Sequence, residues 1–414
     1  MAGRTTQIIH LRYGRAVSVD LEVEESRIRG VFTGPSPCDD PLHALRLALD
    51  APLDFPPLEQ AVIPDDRIAL VLDRDVPGAS MIIAEVWKRL HERGVRAANV
   101  TVLQPADQSA ASPSDPRVDL PEEVREIVKW QVHETVPEDE GGLHYLATSA
   151  AGERIYLAGA VQDADVILSI GRIGFDPLLG YRGTNSAFYP GLSTLEAVKK
   201  AHGQGHSELG SDDERPLRQM VDEVGWLLGT QFTIQVIPAA QGGVAEILAG
   251  SIESVFRKGR ETLSDRWTVS LPDRVETVVV AVDEDAGGHG WNQIAAALAV
   301  AKRLVVRDGR MIVLSQLAQS PGEGLEILRR AEEPRNAFRP LRQIGPADLV
   351  AATQFAQAVD WGRVYLLSRL DSDLVEDLFC VPIENAAEVS RLLAADEESC
   401  VFVGSAQHAD AKIG

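Results

Sequence analysis

The sequence predicts an α/β fold of two domains, each built on a largely parallel sheet. Apolar, strand-like runs alternate with amphipathic helical segments in both halves of the chain. A length of 414 residues, 45% of them hydrophobic, is enough to form more than one hydrophobic core. The alternation shows no tandem repeat of fixed period.

The first hundred residues predict a hairpin, a helix and then a βαβ unit. Residues 5–21 alternate around a Tyr-Gly turn, which is typical of two paired strands. Residues 40–50 place apolar side chains at helical spacing after an Asp-Pro start. The βαβ unit consists of a strand and turn at 67–80, a helix at 81–94 and a strand at 99–103. Because ligands bind at the carboxyl ends of parallel strands, the turns at 73–80 and 104–109 are candidate binding loops.

The middle of the chain continues the same pattern up to a domain boundary. Residues 104–122 are rich in Pro, Ser and Asp and predict a loop. The predicted elements after it are a strand at 163–171, a helix at 215–231, a hairpin at 232–250 turned at Gly242 and Gly243, and a helix at 251–265. The pattern is interrupted at 265–275, which predicts domains at 1–270 and 271–414.

The second domain repeats the alternation of strands and helices. Its predicted elements include strands at 275–282, 310–316 and 400–406 and a helix at 292–305. Each such unit implies a parallel sheet with both faces covered.

Composition excludes several classes of function. Acidic residues outnumber basic ones by 62 to 40, and a net charge of -22 disfavours binding to nucleic acids and to anionic membrane surfaces. The three cysteines are far apart and lack a CxxC spacing, which argues against a disulfide framework or a zinc knuckle. No signal-peptide core and no run of eighteen apolar residues occurs, so we expect a cytoplasmic protein.

Common catalytic motifs are absent, and one segment remains. The chain has no GxGxxG fingerprint, Walker loop, HExxH or GxSxG. Residues 174–206 instead combine Asp176, Arg182 and two histidines, His202 and His206, with glycine-bounded turns.

This segment and the strand before it resemble the lactate racemase family, whose members use a nickel-pincer nucleotide. The family runs here from a strand through a Pro-His-Pro turn, a glycine-rich turn ending in lysine and a Pro-Gly pair to a helix that closes on a nickel-binding histidine. The turn residues are kept at Pro177, Gly180, Gly183, Pro190 and Gly191. His202 falls at the position of the metal ligand.

The resemblance extends over nearly the whole chain. Residues 68–80 look like the family's phosphate-holding turn, and WQVHET at 130–135 is similar to its Asn-His-Asp segment. Residues 232–259 resemble its hairpin-helix unit. Residues 290–315 are similar to its Tyr-Gln-x-Gln-Lys-Ala helix and the following strand, with Gln293 at the first glutamine.

Five positions depart from the family pattern. Asp176 replaces a catalytic histidine, and Ser186 replaces the lysine that can be tethered to the cofactor. The second catalytic histidine is replaced by a residue of Asp107 to Ser109, depending on the alignment. Val76 stands at the arginine of the phosphate turn and Ala296 at the lysine of the glutamine helix. Since an ordinary aspartate is a far weaker base than histidine, racemization of lactate by the family's acid-base pair is not expected.

The resemblance nevertheless implies a site in a cleft between the domains, with the final segment packed back on the first domain. It assigns the metal to His202 and a catalytic role to Asp176. We also expect Arg182 to act in catalysis, because its planar donor fork suits an anionic group of the substrate. The implied cofactor-binding residues are Asp73, Arg74, Gly183, Thr184, Ser186 and Gln293. The implied reaction is racemization or epimerization by hydride transfer at a hydroxylated carbon of a 2-hydroxy acid or sugar-like substrate.

Each of these residues also has a structural interpretation. His202 is suited to a helix C-terminus, Asp176 to an Asp-Pro turn, and Arg182 to an ion pair. Residues 73–75 also suit a solvated loop, and Gln293 an exposed helix start. We expect His133, His206 and His289 to be surface residues. The alternative for the whole chain is a non-catalytic descendant that binds a nucleotide or a protein partner.

Overall fold

The structure, a computed structural model, describes residues 5–106, 113–137, 142–203, 209–395 and 397–414. The chain forms two compact units. We call Pro37–Ala239 with Gly243–Leu263 the central unit, and the remaining residues the terminal unit. The predicted division at 270/271 takes no account of the N-terminal segment, which clusters with the terminal unit because it pairs with strands there.

The strands are β1 Thr6–Tyr13, β2 Val17–Glu24, β3 Ile28–Phe32, β4 Ile68–Leu72, β5 Val100–Pro105, β6 Lys129–His133, β7 Leu143–Thr148, β8 Arg154–Ala158, β9 Val166–Arg172, β10 Gly174–Asp176, β11 Gly180–Arg182, β12 Phe232–Pro238, β13 Val244–Ser251, β14 Thr268–Leu271, β15 Val275–Ala281, β16 Val305–Leu314, β17 Arg363–Leu367, β18 Cys380–Ile383, β19 Cys400–Val403 and β20 Asp410–Ile413. The helices are α1 Pro41–Asp50, α2 Ala79–Glu92, α3 Glu122–Arg125, α4 Gly159–Gln162, α5 Leu195–His202, α6 Pro216–Leu227, α7 Ile252–Trp267, α8 Trp291–Leu304, α9 Glu323–Arg329, α10 Phe338–Ile344, α11 Leu349–Trp361, α12 Ser372–Asp377 and α13 Ala386–Ala394. The predicted α/β fold class is confirmed.

The central unit is built on a six-stranded sheet in the order β13-β12-β9-β4-β5-β6. All its neighbours are parallel except β12 and β13, which form the predicted hairpin. All five residues of β4 are buried, and they alternate between two cores: Ile68, Leu70 and Leu72 pack on one face, Ala69 and Val71 on the other. From β4 the chain adds β5 and β6 on one side, then β9, β12 and β13 on the other. The strand order therefore reverses between β4 and β9.

The terminal unit contains a fully parallel sheet in the order β18-β17-β16-β15-β19-β3. From β15 the chain adds β16, β17 and β18 on one side, while β19 and β3 lie on the other. This sheet also has a reversal point, between β15 and β19. The predicted N-terminal hairpin is present as β1 and β2, with Gly14 in the turn at a φ of 60°.

Local signals explain several element boundaries. The predicted helix α1 begins after Asp40, whose side chain accepts a hydrogen bond from the His43 backbone N at 2.8 Å. The glycine-rich segment at 174–182 was expected to form turns and instead forms a short hairpin of β10 and β11. No helix in the described part of the chain is long and apolar enough to cross a membrane.

Candidate functional site

A buried ion pair lies where the strand order of the central sheet reverses. Asp73 directly follows β4 and is 3% exposed, and Arg182 ends β11 and is 9% exposed. Arg182 Nη2 donates to Asp73 Oδ1 at 2.9 Å, and the Arg74 backbone N donates to the same oxygen at 2.8 Å. Ligands of open α/β sheets bind outside the strand ends at such a reversal. The position therefore marks the candidate site.

The charge of Arg182 is fixed by its surroundings. Burial lowers the pKa of its guanidinium, but the negative charges of Asp73, Asp75 and Asp176 and the hydrogen bond to Asp73 raise that pKa above its ordinary value overall. Arg182 is therefore a permanent cation inside the protein.

A second, looser pair of opposite charges adjoins the first. The Asp75 carboxylate lies 3.9 Å from Arg172 Nη2 and 3.9 Å from Arg182 Nη1. These distances are too long for hydrogen bonds, and within the described residues no donor is bonded to the Asp75 side chain. That side chain is 30% exposed, so its oxygens retain capacity to accept hydrogen bonds. Sequence reasoning missed Arg172, although its position as the last residue of β9 could have revealed it.

The turn after β11 encloses the ion pair. Gly183 has a φ of 123°, and a Cβ there would lie 2.5 Å from Ile173 Cδ1. Its backbone N donates to Ser186 Oγ at 2.8 Å, and Ser186 Oγ in turn lies 3.5 Å from Asp73 Oδ2. Thr184 is fully buried at a φ of 54° and donates to the Gly183 carbonyl at 2.7 Å. Asp75 also has a positive φ, of 60°. Positive φ at non-glycine residues such as Thr184 and Asp75 is a backbone strain that often accompanies functional sites.

Asp176 has a structural task in the hairpin of β10 and β11. Its Oδ1 accepts hydrogen bonds from the backbone N atoms of Leu178 and Leu179, at 2.8 and 2.9 Å. This is the behaviour of a turn-forming aspartate. The arrangement supports the structural interpretation of Asp176.

His202 is the last residue of α5 and is half-buried. The helix begins at the Thr194 cap, whose side chain accepts from the Ala197 backbone N at 3.1 Å. Within the residues described, no group of three or more His, Cys, Asp or Glu side chains could hold a metal. A single imidazole, as the family resemblance implies, is a different arrangement from such a group.

Gln293 belongs to the terminal unit and is buried, at 9% exposure, rather than exposed. Its side chain accepts from the Gly290 backbone N at 3.1 Å and donates to Asp285 Oδ1 at 3.3 Å. The side chain therefore caps the start of α8.

Two histidines expected at the surface are half-buried instead. Burial lowers the pKa of His133. A hydrogen bond with the Ser193 carbonyl, at 3.2 Å, partly offsets this shift. His289 contacts the Asp283 carbonyl through Nδ1 at 3.1 Å and accepts from the Gln316 backbone N through Nε2 at 2.8 Å. Hydrogen bonding to the main chain holds both rings at strand ends. His206 and residues 107–109 lie outside the described residues.

The residues present fit the family's nickel-pincer nucleotide at one position and not at the others. His202 offers an imidazole, a good ligand for nickel. Val76, at the position of the phosphate-turn arginine, is 5% exposed and packs in the hydrophobic core. Ser186, at the position of the lysine that can be tethered, has no amine, and its hydroxyl is bonded within its own turn. The phosphate and tether positions therefore do not fit the cofactor.

Comparison with known proteins agrees with this fold. Residues 13–211 match the model of the lactate racemase N-terminal domain. The chain is similar to the lactate racemase apoprotein of Thermoanaerobacterium thermosaccharolyticum, with a TM-score of 0.82 and 15% identity over 98% of this chain and 100% of that one. It is also similar to a protein of Thermotoga maritima, with a TM-score of 0.62 and 13% identity over 90% and 97% of the two chains. No curated protein sequence matches significantly.

Proposed function

Because the chain belongs to the lactate racemase family, as a divergent member, we propose that it binds a small hydroxylated acid at the carboxyl ends of β4 and β9. We propose further that it does so without the family's acid-base racemization. The supporting observation is the group of Arg172, Arg182 and Asp75 at the reversal point of the central sheet.

The chemistry of this group matches a ligand that carries both a carboxylate and hydroxyls. A guanidinium presents a planar fork of donors that suits a carboxylate. Asp75 supplies acceptor oxygens for a hydroxyl, because its own ion pairs are 3.9 Å long. The mixture of charges suits a hydroxy acid or an acidic sugar better than a simple anion, which the carboxylates of Asp73 and Asp75 would repel.

The task of Asp176 supports the proposal that acid-base racemization is absent. Asp176 stands at the position of a catalytic histidine, and its Oδ1 is held by two backbone N–H groups of its own turn. An aspartate is also a far weaker base than histidine.

Titration calorimetry with lactate, malate and gluconate tests the binding. We expect at least one of these acids to bind, and Asp75→Gly to weaken it by roughly tenfold, the cost of losing one hydrogen bond to a charged group. Glycine adopts the positive φ at this position without strain. Asp65→Ala is the control, because Asp65 also pairs with an arginine, Arg96, but is 89% exposed in a loop. Absence of binding by all three acids, or equal affinity in Asp75→Gly, contradicts the proposal.

A second candidate function is favoured by His202. In it, the protein is a nickel-pincer nucleotide-dependent racemase or epimerase that acts at a hydroxylated carbon of a 2-hydroxy acid or sugar-like substrate. In the family, the bound cofactor supplies the hydride acceptor. The half-buried imidazole at the end of α5 is the one family position that suits the metal.

Nickel content separates the two candidates. The protein is expressed together with the cofactor-making enzymes and its nickel is measured by elemental analysis. About one nickel per chain that disappears in His202→Ala, but not in His43→Ala on the exposed face of α1, favours the racemase. A nickel-free wild-type protein that binds a hydroxy acid favours the first proposal.

A further inference from the structure

The reversal point of the terminal sheet carries a polar cluster of its own. Asp283 lies two residues after β15, and Ser405 lies two residues after β19. Both are almost completely buried, at 2% and 3% exposure. The carboxyl edge of a parallel sheet at such a reversal is the general position of ligand sites in open α/β folds.

Backbone strain is concentrated at this point. Seven non-glycine residues of the described chain have positive φ, and two of them, Gln241 at 64° and Ser405 at 49°, converge on Asp283. The Gln241 backbone N donates to Asp283 Oδ2 at 2.9 Å, and the Ser405 hydroxyl donates to the same oxygen. Such strain persists only where the surrounding structure enforces it, and it clusters at functional sites.

Two arginines border this cluster, and their partners are neutral. Arg12, on β1, donates to the Gln241 side-chain oxygen, and its Nη2 lies 3.5 Å from the Arg15 carbonyl. Arg369, just after β17, donates to the side-chain oxygen of Gln316. Within the described residues neither arginine forms an ion pair. Both guanidiniums are thus oriented by neutral amide oxygens.

The hairpin turn at Gly14 brings the two arginines to one edge of the sheet. Gly14 lies against the side chain of Gln316, so closely that a Cβ on Gly14 would be 2.5 Å from Gln316 Cγ. The Gly14 backbone N also donates to the Val282 carbonyl at 2.8 Å, which fixes the turn over the end of β15. Arg12 approaches this turn from the hairpin, and Arg369 approaches it through Gln316.

The carboxylates near the two arginines have hydrogen-bond partners of their own. Asp283 accepts from the Ser405 hydroxyl and the Gln241 backbone N. Asp285 lies near His408, at 3.4 Å, and accepts hydrogen bonds from Gln293 and the Gly287 backbone N. Glu284 is exposed and pairs with neither arginine. Within the described residues, neither Arg12 nor Arg369 is hydrogen-bonded to a carboxylate of this loop.

We propose that Arg12 and Arg369 form a second binding site, which takes a small oxyanion bearing a carboxylate or phosphate group. Two guanidiniums held by amide oxygens still present unused N–H donors, and such donors bind carboxylates and phosphates in bidentate fashion. All its residues belong to the terminal unit, whereas those of the proposed hydroxy acid site belong to the central unit.

Titration of the full chain at low ionic strength tests this site, with inorganic phosphate and succinate as probes. We expect saturable binding of at least one probe and a loss of roughly tenfold or more in Arg369→Gln and in Arg12→Gln, since each variant removes a charge-assisted hydrogen bond. Arg339→Gln on α10 is the matched control, because Arg339 is an exposed arginine of the same unit. Arg369 is exposed, so its substitution leaves the fold intact and the test usable even if Arg12→Gln does not fold.

Tighter binding of phosphate identifies a phosphorylated ligand, and tighter binding of succinate identifies a carboxylic acid. The proposal is overturned if neither probe binds, or if Arg369→Gln binds as tightly as the wild type. Equal losses of affinity in Arg369→Gln and Arg339→Gln also overturn the proposal. In that case the loss would come from the lower overall charge of the unit and not from a specific site.

Discussion

The two reversal points place similar residues at strand ends but handle charge in opposite ways. At the central sheet, the buried aspartate Asp73 is paired with the buried cation Arg182. At the terminal sheet, the buried aspartate Asp283 is held by a hydroxyl and a backbone N–H, and the nearby Arg12 is held by an amide. The first arrangement compensates its charges inside the protein. In the second, hydrogen bonds to neutral groups hold both the carboxyl and the arginine.

Because of this difference, substitution of an arginine should change the free energy of unfolding by different amounts at the two sites. Removal of one member of a buried ion pair leaves an uncompensated charge in the interior, which is strongly destabilising. Removal of an exposed arginine bound to a neutral amide leaves no buried charge behind. Stability should therefore depend on the arginine of the central site and hardly on those of the terminal site.

The largest effect is expected for Arg182→Met. This variant leaves Asp73 buried without its cation, which we expect to cost about 3–5 kcal/mol of the free energy of unfolding. Arg369→Gln at the terminal sheet should cost about 0.5 kcal/mol or less. Urea unfolding followed by circular dichroism measures both changes.

The double variant Arg182→Met, Asp73→Leu is the control for this prediction. It removes both charges and should recover a large part of the stability lost in the single variant. A loss below about 1 kcal/mol in Arg182→Met would show that the pair is not buried in solution as it is in the structure.

Substitution of Gly183, which follows β11, and of Gly404, which follows β19, should also affect stability differently. Gly183→Ala places a Cβ 2.5 Å from Ile173 Cδ1 at a φ of 123°, and we expect a loss of about 1–3 kcal/mol. At Gly404, the nearest atom to an added Cβ is 3.6 Å away, an ordinary contact. Gly404→Ala should therefore be neutral or slightly stabilising. Equal unfolding midpoints for the two variants would contradict the expectation that only Gly183→Ala is destabilising.

The pH dependence of stability offers a test at Asp283. Its pKa is raised in the folded protein, so the native state keeps this proton at pH values where the unfolded chain has lost it. The resulting stabilisation is present at low pH and is lost as the pH rises from the ordinary value of 3.8 through the raised pKa. The stability of the wild type should therefore fall relative to Asp283→Asn as the pH rises above about 4. A constant difference between the two proteins over this range would contradict the prediction.

Hydrophobic periodicity was sufficient to predict most of the fold. The run at 67–72 is apolar because β4 is buried on both faces, and that pattern is visible in a single sequence. The short hairpin of β10 and β11 was not predicted, because three-residue strands give no periodic signal. The pairing of β3 with β19 joins residues about 370 positions apart, and no local pattern contains that contact.

Individual site residues were harder to interpret than the strands around them. The sequence placed Asp73 and Arg182 in a binding role, but their mutual ion pair depends on a fold that brings two distant turns together. Asp176 and Gln293 were candidates through their alignment with the family, while the structure gives them turn and cap roles. Arg12 and Arg369 lie in unremarkable sequence. Their neutral partners are visible only in three dimensions.

A small effect on stability is expected for Asp75→Asn, and it shows whether Asp75 belongs to the buried ion pair of the central site. The ion pairs of Asp75 are 3.9 Å long and its side chain is 30% exposed, so loss of the charge should change the free energy of unfolding by less than about 1 kcal/mol. Asparagine tolerates positive φ, so the variant leaves the strained turn in place and tests the charge alone. Urea unfolding in low and high salt measures the change. A loss as large as that of Arg182→Met would mean that Asp75 belongs to the buried ion pair, and the acceptor assigned here to a ligand hydroxyl would instead be part of the core of the unit.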